Sequence, residues 1–176
     1  TAVAEAVIMA CRATRRTAAA LSPLLHPQYL ATVRTYAAAS GIEIRLLTAA
    51  GSAIDLKSCS PAGDLACVVV QSPNFLGVVE DAARVFGACR DGKALAIAVC
   101  NPLSLAVLPS PADIGADIAV GEGQPLGNPM NFGGPGFGFF AARGGLVRLM
   151  PGRIVGRPTD AQGRGGYTLP LQTREQ

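Results

Sequence analysis

Two apolar segments, LACVVVQ at residues 65–71 and ALAIAVC at residues 94–100, flank a stretch of helical composition, NFLGVVEDAARVFGACRDG at residues 74–92. Each segment is continuously apolar, which is typical of a strand covered on both faces of a parallel sheet. A further apolar strand is predicted at residues 116–120. The pattern therefore predicts an α/β fold, with a doubly wound, mostly parallel sheet that carries helices on both faces.

The residues before this unit extend the same pattern toward the amino terminus. Apolar spacing predicts a helix over 2–15, a strand over 17–22, a helix over 26–41 and a strand over 42–48. Pro27 suits the first turn of the second helix, and Gly41 suits its end. Residues 49–64 are rich in small and turn-forming residues, and we interpret them as a weak linker inside a single domain spanning residues 1–176.

The last third of the chain is rich in glycine and proline. These two residue types make up half of GEGQPLGNPMNFGGPGFGFF, residues 121–140, and residues 136–143 are predicted to form one more strand after a tight turn. An irregular segment is expected next. The final TREQ, residues 173–176, has the form of a capping box that opens a helix, so the chain is expected to be an incomplete, truncated piece of a longer polypeptide.

Composition argues against several classes of protein. The chain has 15 Lys and Arg against 12 Asp and Glu, an excess too small and scattered for a nucleic-acid protein. Its 5 cysteines include no C-x-x-C pair, so neither a disulfide framework nor a metal site is predicted. No apolar run reaches the roughly 18 residues of a membrane span, and no signal peptide is recognised, so a cytoplasmic location is predicted.

The glycine-rich stretch does not match the standard phosphate-binding loops. No lysine lies downstream of Lys93, which excludes the P-loop pattern. The spacing of Gly121, Gly123 and Gly127 is one residue longer than a dinucleotide fingerprint, and prolines at 125 and 129 oppose a helix that starts there. A nucleotide-binding α/β module is therefore kept only as an alternative.

Loops that follow parallel strands gather at the carboxyl edge of the sheet, where ligands bind in such folds. Here these loops are residues 72–75, 101–105 and 121–129. The polar side chains on or beside them that are candidates for a pocket are His26, Asn74, Asn101, Gln124 and Asn131.

Several of these candidates also have a purely structural interpretation. His26 suits the start of a helix, and Asn74 with Ser72 suits the N-cap of the next helix. Gln124 and Asn131 suit turns. Arg148 and Arg153, in RLMPGR, are candidates for binding an anion or another subunit, with exposed ion pairing as the alternative.

Several longer motifs resemble one family. GEGQPLGNPMNFGGPGFGFFAAR, RLMPGRIVG and LQTREQ resemble the glycine decarboxylase family, the P-proteins of the glycine cleavage system, and within it subunit 1 of the two-subunit bacterial form. SPNFLGVVED and NPLSL fit the same family. Two features depart from it. Residues 49–64 are too few for the helix expected there, and Asn101 stands where relatives tend to have aspartate.

The resemblance implies the large domain of a fold-type I pyridoxal-phosphate enzyme, which pairs with a homologous subunit 2. It also implies a complex that decarboxylates glycine and passes the aminomethyl group to the lipoyl arm of H-protein. Such chemistry requires a lysine to hold the cofactor as a Schiff base and a carboxylate beside the pyridine nitrogen. The lysine is expected on the loop 121–129, where Gln124 and Pro125 stand instead, and Asn101 offers an amide in place of the carboxylate.

We therefore expect a non-catalytic homologue with a vestigial pocket. No catalytic residue is assigned to this chain, and pyridoxal phosphate is expected on subunit 2, not bound covalently here. Lys57, in the linker, and Lys93, in a helix-to-strand turn, are expected at the surface. A self-sufficient pyridoxal-phosphate lyase or aminotransferase is the alternative, and it would need an anchoring lysine.

Overall fold

The computed structural model describes residues 1–57, 59 and 63–172 of the chain. Its α-helices are α1 (Ala2–Thr14), α2 (Pro27–Ser40) and α3 (Ala82–Asp91). Its strands are β1 (Ala18–Leu21), β2 (Glu43–Leu46), β3 (Ala49–Ala50), β4 (Ala53–Ile54), β5 (Leu65–Gln71), β6 (Leu95–Val99), β7 (Ile118–Glu122), β8 (Gly138–Ala142), β9 (Arg153–Gly156) and β10 (Thr168–Gln172). Short 3-10 helices span Pro102–Ala106, Gln124–Leu126, Asn131–Gly133 and Gly144–Leu149.

A six-stranded sheet in the order β2-β1-β5-β6-β7-β8 forms the centre of the fold. Neighbouring strands from β2 to β7 pair in parallel, and β8 pairs antiparallel with β7 at one edge. α1 and α2 pack against one face of the sheet, and α3 packs against the other. The predicted fold class is confirmed.

The continuous apolarity of the central strands follows from this two-sided cover. Val69 of β5 packs into the layer of α1, whereas Val68 and Val70 pack into the layer of α3. Because successive side chains of a strand point to opposite faces, a strand buried on both faces has no position left for a polar residue. This is why LACVVVQ indicates an interior strand without any alternation.

The third helix begins later than its sequence predicts. α3 starts at Ala82, with Asp81 as its N-cap accepting a hydrogen bond from Arg84 N at 3.2 Å. Before it, Asn74 Oδ1 accepts hydrogen bonds from Leu76 N and Val78 N, and Gly77 has a φ of +83°. These local bonds compete with helical ones, so the predicted helix over residues 74–81 is wrong, and Asn74 caps a turn instead of a helix.

Residues 49–54 form a short antiparallel hairpin, β3 with β4. Ile54 is buried against the layer of α3, and its backbone N donates a hydrogen bond of 3.0 Å to the carboxylate of Glu80. The hairpin is therefore fixed to the loop that follows β5. The hairpin occupies part of residues 49–64, the segment that is too short for the helix expected from the family resemblance.

The segment after β8 contains more regular structure than predicted. The 3-10 helix Gly144–Leu149 leads to an antiparallel pair, β9 with β10, where irregular structure was expected over most of the segment. The link between the two strands is closed by an ion pair of 2.8 Å between Arg164 and Asp160 and by Gly163 at a φ of +77°. The predicted capping box at residues 173–176 lies outside the described residues.

Two glycines in open space test how the backbone conformation alone affects stability. Gly87 lies inside α3, and Gly41 ends α2 at a φ of +65°, with nothing within 4 Å of an added Cβ at either position. Gly87→Ala is expected to raise the free energy of unfolding by roughly 0.5–1 kcal/mol, because alanine loses less backbone entropy in a helix. Gly41→Ala is expected to lower it by about 1 kcal/mol, because a Cβ is strained in the left-handed region. Urea unfolding followed by circular dichroism measures both, and equal signs would contradict the explanation.

Candidate functional site at the carboxyl edge of the sheet

A cleft of two adjoining cavities lies at the carboxyl ends of the central strands, each with a volume of about 290 Å³. Tyr29, Gly121 and Glu122 line both cavities. The first cavity extends to residues from the loops after β5 and β6, among them Asn74 and Asn101. The second extends to the amino terminus of α1 and to residues 136–138 before β8.

The carboxylate of Glu122 lines both cavities and so lies where they adjoin. Glu122 is the last residue of β7, and its Oε1 accepts hydrogen bonds of 2.9 Å from Gln124 N and Phe137 N. Burial raises the pKa of the Tyr29 phenol above its ordinary value, and the negative charge of Glu122 raises it further as the second cause. The centre of the cleft therefore presents an anion beside a phenol that stays protonated at neutral pH.

The glycines of residues 121–123 have a steric cause. A Cβ on Gly121 would overlap the carbonyl oxygen of Cys100, and it would lie 2.6 Å from the ring of Phe139. A Cβ on Gly123 would overlap the ring of Phe137. Backbone and aromatic rings thus pack directly against the end of β7; at Gly121 the backbone carbonyl leaves space for glycine alone, whereas at Gly123 a larger residue would displace the Phe137 ring.

His26 is the N-cap of α2, as its structural interpretation proposed. Its Nδ1 accepts a hydrogen bond of 3.2 Å from Gln28 N, and its ring lies 4.9 Å from the ring of Tyr29 and 5.0 Å from that of Phe75. Its backbone N donates to the side chain of Gln71 at 2.9 Å. His26 lies behind the cleft and is not among the residues that line the two cavities.

Asn74 lines the first cavity but is held entirely by the protein. It is only 4% exposed, and its Nδ2 donates to Ser52 O at 2.8 Å and to Glu80 Oε1 at 2.7 Å. Its Oδ1 accepts the two backbone hydrogen bonds of the turn described above. Its hydrogen-bonding capacity is therefore used to fix the loop, the hairpin β3–β4 and Glu80 to one another.

Asn101 also lines the first cavity, directly after β6. Its Oδ1 accepts a hydrogen bond of 3.0 Å from Leu103 N, which makes it the N-cap of the following 3-10 helix. The structure therefore brings Asn74 and Asn101 together in one cavity, and both amides carry structural hydrogen bonds.

The two remaining candidates lie on the loop after β7 and do not line either cavity. Gln124 Nε2 donates to Asn128 O at 2.8 Å, which closes the turn that contains Pro125. Asn131 is exposed, in a 3-10 turn where Phe132 has a φ of +51°. The exposed Arg148 and Arg153 also lie outside the cleft.

Three residues that line the cleft, Tyr29, Gln71 and Glu122, were not among the candidates predicted from the sequence. Glu122 lies just after the strand predicted over residues 116–120, at the carboxyl edge of the sheet, and this position could have marked it. Tyr29 has no such signal, because it follows Pro27 inside a helix and reaches the cleft only through the packing of α2.

The donor set of the cleft does not fit a covalently held pyridoxal phosphate. Among the described residues, the lining of both cavities contains no lysine or arginine, and the carboxylate of Glu122 opposes a phosphate. Lys57 is exposed and lies outside both linings. Lys93 precedes β6 and Asn101 follows it, so the two residues lie at opposite edges of the sheet, separated by a strand of 5 residues that is itself roughly 16 Å long.

Two features are missing from the described residues 1–57, 59 and 63–172. No three histidine, cysteine, aspartate or glutamate residues there are arranged to hold a metal ion. No helix in the same part of the chain combines the length and apolarity that a membrane crossing needs.

Burial raises the pKa of the Cys100 thiol, which lines the first cavity, above its ordinary value of 9.0. The folded chain therefore favours the neutral thiol, so this contribution to stability is complete below pH 9 and is lost as the pH rises above it. We expect the urea midpoint to fall between pH 8 and 10.5, and to fall less steeply in Cys100→Ala. Parallel pH profiles for the two proteins would contradict this assignment.

The comparisons with known proteins agree on one family. The family model for the glycine cleavage system P-protein matches residues 1–176. The probable glycine dehydrogenase (decarboxylating) subunit 1 of Moorella thermoacetica is 48% identical over 100% of this chain and 40% of its own length. The protein of the same name from Phenylobacterium zucineum is 50% identical, again over 100% and 40%. The chain thus spans about 40% of the length of these relatives.

Solved structures support the same conclusion. A crystal structure of glycine decarboxylase (P-protein) of the glycine cleavage system, in inhibitor-bound form, superposes with a TM-score of 0.92 and 45% identity, over 98% of this chain and 39% of that one. A cysteine desulfurase from Thermococcus onnurineus shares only the fold, with a TM-score of 0.69 and 15% identity over 97% of this chain and 43% of its own. The fold is thus that of fold-type I pyridoxal-phosphate enzymes, and the chain belongs to the glycine cleavage system P-protein family.

Proposed function

We propose that this chain is part of subunit 1 of a glycine dehydrogenase (decarboxylating). In this proposal the complex decarboxylates glycine and transfers the aminomethyl group to the lipoyl arm of H-protein. The proposal is supported by the match of residues 1–176 to the P-protein family and by two relatives named as subunit 1 at 48% and 50% identity. Residues 1–176 would form one domain of that subunit.

The second part of the proposal is that this chain is a non-catalytic homologue. The observation that carries it is the chemistry of the cleft, where Glu122 and amides that already carry hydrogen bonds stand at the carboxyl edge and the lining, within the described residues, includes no lysine or arginine. Pyridoxal phosphate would be bound on the companion subunit 2. The chain would then act by completing and supporting the site of its companion.

The proposed partners follow from the proposed reaction. They are the homologous subunit 2, lipoylated H-protein and glycine as the substrate of the complex. A heterotetramer located in the cytoplasm is the proposed assembly. Neither nucleic acid nor a membrane is proposed as a partner, since the charge excess is small and scattered along the chain.

Reconstitution tests the proposed role. The full-length polypeptide that carries this chain is mixed with subunit 2, H-protein and pyridoxal phosphate, and CO2 release from glycine is measured. We expect each subunit alone to be inactive and the mixture to be active. Undiminished activity of subunit 2 alone would remove the supporting role.

The alternative of a self-sufficient pyridoxal-phosphate lyase or aminotransferase is tested on the polypeptide alone. Borohydride reduction in the presence of the cofactor, followed by peptide mass analysis, would reveal a pyridoxyl group on a lysine. We expect Lys57 and Lys93 to remain unmodified, because both are exposed and lie outside the cleft. An adduct on either would favour this alternative. Calorimetric titration with dinucleotides tests the nucleotide-binding alternative, and no heat of binding is expected.

A further inference from the structure

Three neighbouring strands of the central sheet end in the same pattern. In β5, β6 and β7 a buried valine of the layer of α1 is followed two residues later by a polar residue. The valines are Val69, Val99 and Val120, and the polar residues are Gln71, Asn101 and Glu122. Because side chains two residues apart on a strand point to the same face, the three polar groups are directed to the side of α1 and α2.

The pairing register brings these polar side chains to one place. Val99 lies opposite Gln71 on one side and opposite Val120 on the other. Neighbouring strands lie about 4.8 Å apart, so the polar residues at the ends of three successive strands fall within roughly 10 Å of one another. All three line the first cavity of the cleft, which has a volume of about 290 Å³ and is also lined by Tyr29 of α2.

Glu122 brings a negative charge into this cavity without a cationic partner. Both of its backbone hydrogen bonds end on Oε1, whereas no group of residues 1–57, 59 or 63–172 donates to Oε2. The hydroxyl of Tyr29 likewise makes no hydrogen bond within the part of the chain that the structure describes. Glu122 is half-buried, and a carboxylate partly withdrawn from water is stabilised by a cation that also donates hydrogen bonds. An ammonium group meets both requirements.

The other two polar residues of the cavity present hydrogen-bond donors. Gln71 uses its side-chain oxygen to accept from His26 N at 2.9 Å. Asn101 uses its own to accept from Leu103 N at 3.0 Å. The NH2 groups of these two amides donate to no acceptor among the described residues. They are neutral donors, so they suit a carbonyl oxygen better than a second anion, which Glu122 would repel.

We propose that the first cavity binds a short primary amine that carries a carbonyl group, such as the amide of a small amino acid. The ammonium donates hydrogen bonds to Glu122 Oε2 and to the hydroxyl oxygen of Tyr29. The carbonyl oxygen accepts from the NH2 groups of Asn101 and Gln71. With a hydrogen bond of about 2.8 Å at each end, an ammonium and a carbonyl separated by one carbon bridge protein atoms roughly 8 Å apart. The inference does not rest on the proposed function, because side chains of this chain alone hold the ligand, without a covalent bond.

Titration of the full-length polypeptide that carries this chain tests the site, without the companion subunit or pyridoxal phosphate. Glycinamide is the probe, and its binding at pH 7 is followed by saturation-transfer NMR. Acetamide, which lacks only the amino group, is the matched control. We expect glycinamide to bind at millimolar concentration and acetamide to bind at least about tenfold more weakly, because it has no ammonium for Glu122. Equal affinities of the two compounds, or no binding of glycinamide, would overturn the proposal.

Variants of the same polypeptide show whether the probe binds in this cavity. Glu122→Gln keeps an oxygen for the two backbone N–H groups but removes the charge, and it is expected to weaken glycinamide binding at least about tenfold. Tyr29→Phe removes one acceptor and is expected to weaken binding about threefold. Asp91→Asn removes the same charge at the exposed end of α3, outside the cleft, and is expected to leave the dissociation constant unchanged. Equal affinities of Glu122→Gln and Asp91→Asn for glycinamide would contradict the site.

Discussion

Replacing Gly121 by alanine is expected to lower the free energy of unfolding by about 3 kcal/mol, the upper part of the range for overpacked interiors. The added Cβ would overlap the carbonyl oxygen of Cys100 and press on the ring of Phe139. The carbonyl belongs to the backbone where Cys100 N donates a hydrogen bond to Val120 O, so it cannot move without disturbing the pairing of β6 with β7. The strain therefore has no flexible side chain to absorb it.

Urea unfolding of the chain measures this loss, and Gly144→Ala is the matched control. Gly144 has nothing within 4 Å of an added Cβ and no positive φ, so its substitution is expected to change stability by less than about 0.5 kcal/mol. If the two alanine variants unfold at the same urea concentration, the close approach at Gly121 is not what requires glycine there.

Asn74→Ala is expected to destabilise the chain by about 3 kcal/mol, because it removes four hydrogen bonds from a buried site. The carboxylate of Glu80 is 8% exposed and would keep the hydrogen bond from Ile54 N while losing that from Asn74. Removing the donor leaves a buried acceptor unsatisfied, which costs more than the hydrogen bond itself contributes. The hairpin β3–β4 would also lose the hydrogen bond between Ser52 and Asn74.

Asn128→Ala controls for the loss of an amide as such. Asn128 is half-buried and donates one hydrogen bond of 3.0 Å to Pro135 O, so a loss of less than about 1 kcal/mol is expected. Asn74→Asp adds a second test, because it puts a carboxylate 2.7 Å from Glu80 Oε1 in place of a donor. That variant is expected to be the least stable at pH 7 and to recover part of its stability in acid, where one of the two carboxyl groups is protonated. A loss that does not depend on pH would contradict the network.

The layered fold could be predicted because its signal is local. A strand buried on both faces must be apolar throughout, so LACVVVQ and ALAIAVC identify β5 and β6 within one or two residues at their ends. The predicted start of α3 was wrong because the side chain of Asn74 closes a turn through two hydrogen bonds to backbone N–H groups. Nothing in the sequence distinguishes this asparagine from the N-cap of a helix. The hairpin β9–β10 was missed because two short strands joined by a long polar link carry little periodic signal.

The sequence by itself determined the order of the α-helices and of the strands of the central sheet, and the absence of a lysine from residues 121–129. Tertiary structure alone decided which polar groups meet in the cleft. Tyr29 and Glu122 are distant in the sequence and share two cavities, whereas His26 and Gln124 face away into local hydrogen bonds. The physical reason is that covalent spacing fixes periodicity along the chain, but the approach of distant side chains depends on strand order and on the course of each loop.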